Sequence, residues 1–114
     1  MRERKMKIFI SMPMKAKGEE QVRQEMNKVF DFIKNKLPEA ELIDSIISGA
    51  DKSIAIKGDD VGVWYLGESV KRLSEADIVF FVNNYADFRG CSIEKQISLA
   101  YGKFCVDIQV NLSS

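Results

Sequence analysis

Residues 74–102 read SEADIVFFVNNYADFRGCSIEKQISLAYG, and the fold turns on how they are read. Ile78-Val79-Phe80-Phe81-Val82 is an unbroken apolar run of β-branched and aromatic residues, which predicts a strand buried on both faces. A polar loop from Asn83 to Arg89 follows, and Gly90 closes it. Beyond it, Ile93, Ile97, Ala100 and Tyr101 recur at helical spacing and predict a helix ending near Gly102. The unit is strand, loop, helix. In open α/β sheets ligands bind beyond the carboxyl ends of the strands, where this loop stands. Glu94, in the expected first turn of the helix, lies beside that crevice and is the candidate catalytic residue.

Outward from this unit the chain alternates. Lys7 to Ser11 reads as a first strand, broken by Pro13 and Gly18. Val22, Met26, Val29, Phe30, Ile33 and Leu37 then form one apolar helical stripe, with Glu19 and Glu20 at its positive end and Lys34 and Lys36 at its negative end. Pro38 stops that helix, and Ala40 to Asp44 is a short second strand. Ser45 to Val61 reads as a long loop carrying Gly49, Gly58 and the aspartates Asp51, Asp59 and Asp60. Loops beyond about 12 residues are uncommon in compact domains and often serve as lids or binding loops. Trp64 to Glu75 is a helix with Leu66, Val70 and Leu73 inward and Asp59 or Asp60 at its N-cap region. Phe104 to Val110 alternates as a half-covered edge strand. The order predicts one α/β domain over residues 1–114, a flavodoxin-like doubly wound sandwich. Its parallel sheet has four to five strands in the order 2-1-3-4. The crevice is then walled by Ser11 to Lys17 and by Asn83 to Gly90.

Composition narrows the chemistry. Lysine plus arginine and aspartate plus glutamate number 17 each among 114 residues, so net charge favours neither nucleic acid nor a membrane as partner. No apolar stretch approaches the roughly 18 residues of a membrane span, and the two cysteines, Cys91 and Cys105, imply no disulfide framework. The cytoplasm is the expected compartment. Histidine is absent, which excludes Ser-His-Asp and Cys-His nucleophiles and most zinc sites. Acid-base chemistry must rest on carboxylates, tyrosine, lysine or cysteine. The spacing of Asp44, Asp51, Asp59 and Asp60 lacks the alternation of a calcium loop, and neither metal nor cofactor is expected.

Lys7-Ile-Phe-Ile-Ser-Met-Pro-Met14, Val63-Trp-Tyr-Leu-Gly67, Glu75-Ala-Asp77, Arg89-Gly-Cys-Ser-Ile-Glu94 and Ala100-Tyr-Gly102 together resemble the nucleoside 2-deoxyribosyltransferase-like superfamily, in its small bacterial and phage-type branch. The resemblance runs from Lys7 to about Val106. It implies cleavage or exchange of the N-glycosidic bond of a deoxynucleoside or its 5′-monophosphate, with a glutamate nucleophile in a G-x-x-x-E turn matched here by Gly90 and Glu94. It also implies a homo-oligomer, for which Trp64, Tyr65 and the Phe88 loop are candidate contacts; Trp64 and Tyr65 could instead stack on a base, the less favoured reading for aromatics that open a helix. The chain departs from the pattern at Phe9, where the enzymes commonly carry tyrosine, and at Glu68 or Ser69, where they carry aspartate.

Each candidate has two readings. Glu94 is either a nucleophile or an ordinary residue at a helix start. Asp87, Asn83 and Asn84 either hold a sugar or base or satisfy their own turn. Arg89, Gly90, Cys91 and Ser92 offer a cation and N–H groups to an anion, or simply shape the helix start. Phe9, Ser11, Met12, Pro13 and Ser69 are the remaining expected substrate contacts, whereas Lys15 reads better as a surface charge. Cys91, without a histidine base, reads as a packed thiol. Three functions follow from these readings. The first is an enzyme acting on the N-glycosidic bond of a nucleoside or nucleotide. The second is a non-catalytic nucleotide-binding module on the same fold. The third is a flavodoxin-type redox protein, disfavoured because the loop after strand one lacks a Ser/Thr/Gly-rich phosphate cradle.

Overall fold

The apolar run Ile78–Val82 forms the strand it predicts, β3, with four of its five residues buried. A computed structural model describes residues 5–14, 17–46 and 60–112, with backbone alone at 60 and 61. In chain order the other elements are β1 (Met6–Ser11), α1 (Glu19–Lys36), β2 (Ala40–Leu42), α2 (Asp60–Leu73), a 3-10 turn (Tyr85–Asp87), α3 (Arg89–Ala100) and β4 (Phe104–Ile108). The four strands are all parallel in the order β2-β1-β3-β4, a flavodoxin-like α/β fold. Ile8 pairs with Ile78 and Ser11 with Phe81, so the carboxyl ends of β1 and β3 emerge side by side. At the opposite end the Asp77 carboxylate accepts from the Lys7 N–H at 2.8 Å, while the Asp77 N–H donates to the Lys7 carbonyl.

Alternation along β1 sends Ile8 and Ile10 to one face and Phe9 and Ser11 to the other. The first face packs on α1 through Val22, Met26, Val29 and Ile33, the stripe expected from the sequence. The second gathers Phe9, Val79, Phe81, Leu73 and Ala76.

Several boundaries differ from expectation. β2 ends at Leu42 and β4 at Ile108, earlier than their apolar patterns. α2 is described from Asp60, four residues before Trp64. Asp59, Lys15 and most of the expected loop, with Gly49, Asp51 and Gly58, lie outside the described residues. The larger correction is α3. Its buried residues are Cys91, Glu94 and Ser98, whereas Leu99 and Tyr101 are exposed and Ile93 and Ile97 only half-buried. No helix among the described residues is long and apolar enough to cross a membrane.

Candidate functional site

Ser11 closes β1 on the Phe9 face, 1% exposed, at the point where the sheet order changes direction between β1 and β3. α3 starts at Arg89 beyond β3, and α2 descends across the same edge. Between them lies a cavity of about 1090 Å³. Phe9 and Ser11 line it from β1, Met12 and Pro13 from the turn that follows, Ser69 from α2, and Asp87, Arg89, Gly90 and Glu94 from the segment after β3. Nine of the ten expected site residues therefore share one cavity. Asn83 does not line it. Its side-chain N–H donates to the Val110 carbonyl at 3.1 Å, and its oxygen accepts from the Val110 N–H at 2.9 Å. With φ of 53°, Asn83 occupies a left-handed position that asparagine tolerates. Its amide thus ties the end of β3 to the chain beyond β4.

Glu94 stands in the second turn of α3, because the helix begins at Arg89 and Gly90 is its second residue rather than the end of the loop. The macrodipole fades within the first turn, so the helix end is a poor source of stabilisation for this anion. Two hydroxyls take that part. Ser11 Oγ donates to Glu94 Oε1 at 2.6 Å, and Ser69 Oγ donates to Oε2 at 2.5 Å. Glu94 is only 6% exposed. Burial pushes its carboxyl above the ordinary carboxylate range, opposed by the bonds from Ser11 and Ser69. The Ser98 hydroxyl donates to the Glu94 carbonyl at 2.7 Å.

Cys91 lies one turn earlier on the same face. Burial raises its thiol, the contact with Ser11 opposes this, and the Glu94 charge raises it further. It is therefore a protonated, packed thiol rather than an activated nucleophile.

Outside the cavity, Lys95 Nζ donates to Asp107 Oδ1 at 2.7 Å and to Tyr85 Oη at 3.0 Å, and Tyr85 Oη donates to Asp107 Oδ2 at 3.0 Å. The ammonium also sits 4.8 Å from the ring centroids of Phe81 and Tyr85. This network pins the second turn of α3 to β4 and to the 3-10 turn, directly beside Glu94. The bond from Lys95 holds the Asp107 carboxyl below its ordinary range.

The cavity takes in residues that sequence reading passed over. Ser45 and Ile46 follow β2, Leu66 lies on α2, and Val22 and Glu19 open α1. The available signal was topological: the segment after β2 leaves the sheet at the same edge as the segments after β1 and β3. Tyr65 lines the cavity and makes an edge contact with Trp64, ring centroids 5.0 Å apart. Lys17 also lines it, but its ammonium is engaged by Glu25 at 2.6 Å. Among the described residues no cluster of three histidine, cysteine or carboxylate side chains is arranged to hold a metal ion.

The arrangement offers one buried carboxylate in a mixed polar and apolar cavity, with a hydroxyl on each oxygen. Such a group can attack an electrophilic carbon or take up a proton, and its neighbours fix its orientation in both roles. No family model matches the sequence, and neither a curated protein nor a solved structure matches it.

Proposed function

We propose that the chain cleaves or exchanges the N-glycosidic bond of a nucleoside or nucleotide, with Glu94 as nucleophile, as expected of a protein similar to the nucleoside 2-deoxyribosyltransferases. The observation that carries this reading is the Glu94 carboxylate, buried in the cavity wall beyond β1 and β3 with Ser11 and Ser69 on its two oxygens. In the first step a Glu94 oxygen bonds to C1′ as the C1′–N bond breaks, and the base leaves with the electron pair. In the second, water attacks C1′, the ester C–O bond breaks, and Glu94 departs with its pair. The released base takes up the proton that water sheds. A second base entering instead of water gives transfer.

Base release from a panel of 2′-deoxynucleosides and their 5′-monophosphates, followed by chromatography, tests the reading. Turnover by the native chain together with a sugar adduct on the Glu94 peptide after reaction with a 2-fluoro-deoxynucleoside supports it. Turnover that survives Glu94→Gln overturns it. A non-catalytic nucleotide-binding module is the second reading, favoured by Phe9, which lines the cavity without the hydroxyl a tyrosine would bring. Nucleotide binding without turnover selects it. A cytoplasmic homo-oligomer belongs to the same proposal. Exposed Val63, Leu99, Tyr101 and Phe104 give it apolar surface to cover, and a monomer by light scattering at micromolar concentration removes it.

A further inference from the structure

Ser11 and Ser69 reach the cavity from different elements, a central strand and α2, yet each hydroxyl hydrogen is spent on the same carboxylate, one per oxygen. That geometry bears on the half of the reaction usually left to water. When a glycosyl ester breaks, negative charge returns to the departing carboxylate oxygen, and a donor already aimed at that oxygen is worth most in the transition state. Since both oxygens carry a serine donor, whichever oxygen holds C1′ has one. We propose that Ser11 and Ser69 are positioning residues that act through Glu94, orienting it for attack and making it a competent leaving group when water or a second base enters, rather than substrate contacts.

Burial and the serines oppose each other in a useful way. Taking the carboxylate out of water strengthens it as a nucleophile but makes it reluctant to leave. The two hydroxyl donors draw it back. Among the described residues, the other titratable or charged groups on the cavity wall are Lys17 and Glu19 from the α1 side, the Tyr65 phenol on α2, Asp87 in the 3-10 turn, Arg89 at the start of α3, and the Cys91 thiol; β3 supplies none. Lys17 is bound to Glu25 and Cys91 is a raised, neutral thiol, so among the described residues the direct polar support of the Glu94 oxygens is the serine pair.

This inference rests on the proposed nucleophile, and the experiment separates the two. Ser69→Ala is the main variant because Ser69 is only half-buried; Ser11→Ala repeats the test in the core, and Ser69→Thr restores the hydroxyl. Each is assayed on the plateau above its own acid limb, by rapid mixing with the 2′-deoxynucleoside that the native chain uses best. The expected result for Ser69→Ala is steady-state turnover at least about tenfold lower. It is preceded by a burst of base near one per active site, with a sugar adduct on the intact chain that the native protein and Ser69→Thr do not accumulate. An unchanged rate, or a lower rate without burst or adduct, overturns the proposal.

A second readout needs no turnover: the carbon-13 shift of the Glu94 carboxyl, assigned with Glu94→Gln, followed against pH. It should titrate higher in both alanine variants and highest in the double variant. If it does so in a chain that turns nothing over, the serine pair stands and the enzymatic reading falls. If it does not move, the pair falls whatever the activity.

Discussion

The two faces of the sheet are made from alternate residues of the same strands, and they are put to opposite uses. Toward α1, the buried side chains are almost all apolar: Ile8, Ile10, Val22, Met26, Val29, Ile33, Phe80 and Val82. Toward α2 and α3, Phe9, Val79, Phe81 and Leu73 share the interior with Ser11, Cys91, Glu94 and Ser98. The buried polar side chain that meets this packing, Ser45, finds only a weak acceptor, the Met26 sulfur at 3.8 Å. In the second every buried polar side-chain atom among the described residues has a partner. The contrast teaches that the α1 face supplies stability, while the α3 face carries a buried acid at some cost to stability in exchange for a carboxylate fixed in one place.

The largest effect expected from breaking this contrast is at Glu94. Glu94→Gln keeps the shape, and serine hydroxyls can donate to the amide oxygen and accept from its N–H groups. Removing the attacking charge should lower turnover at least a thousandfold, about 4 kcal/mol on the barrier. Unfolding free energy should change by less than about 1 kcal/mol, since a buried charge is removed along with its desolvation penalty. Single-turnover kinetics beside urea denaturation tests both halves, and equal activity in the variant refutes the role.

The mirror experiment is on the other face. Ile8 is fully buried in the central strand against α1 and does not line the cavity. Ile8→Ala should cost about 3 kcal/mol through lost contact and a residual void. The activity of the molecules that remain folded should be unchanged. A loss of activity per folded molecule would mean that the two faces are coupled more tightly than the packing implies.

How much of this was legible in the sequence follows the same division. β3 and α1 are readable because their apolar positions obey one period and one partner surface, and from them the strand order follows. α3 defeats the same method. Ile93, Ile97 and Tyr101 make one stripe and Cys91, Glu94 and Ser98 another, both at helical spacing, and hydropathy selects the wrong one. A face that buries serine and glutamate against a sheet is specified by partners that arrive from β1 and α2, and periodicity carries no information about them. The pairing of Asn83 with Val110 is hidden for a related reason: a loop asparagine has the same appearance whatever its amide meets.

Two carboxylates of the α3 face, Glu94 and Asp107, should also separate by pH. Burial raises the Glu94 carboxyl despite its serines, so between the ordinary carboxylate range and its raised value the folded state binds more protons than the unfolded one. Its contribution to stability is therefore fully present at acid pH and is lost as pH rises through that window, with a slope of at most about 1.4 kcal/mol per pH unit. Asp107, lowered by Lys95, has the opposite sign: its contribution is present above the ordinary range and is lost as pH falls. Subtracting the denaturation profile of Glu94→Gln from that of the native chain isolates the first slope. A flat difference would show that Glu94 does not change protonation on unfolding in that window.

The smallest expected effect separates what the α3 face needs for folding from what it needs for a ligand. Gly90 is the second residue of α3 and lines the cavity, and a Cβ built there meets nothing within 4 Å. Among the described residues nothing requires glycine at this position, since its backbone is helical and no neighbour approaches. Alanine should then stabilise the chain by about 0.5 kcal/mol, through lower unfolded-state entropy and better helix propensity. For a chain of this size that raises Tm by roughly 2–4 °C. The added methyl, however, lies at the cavity wall one helical turn before Glu94. If the ligand packs against this turn of the helix, Gly90→Ala should weaken nucleotide binding severalfold while Tm rises. Calorimetric titration and thermal unfolding of the same sample read both quantities. A rise in Tm with unchanged affinity would move the ligand away from the start of α3, toward other lining residues such as Met12 and Tyr65.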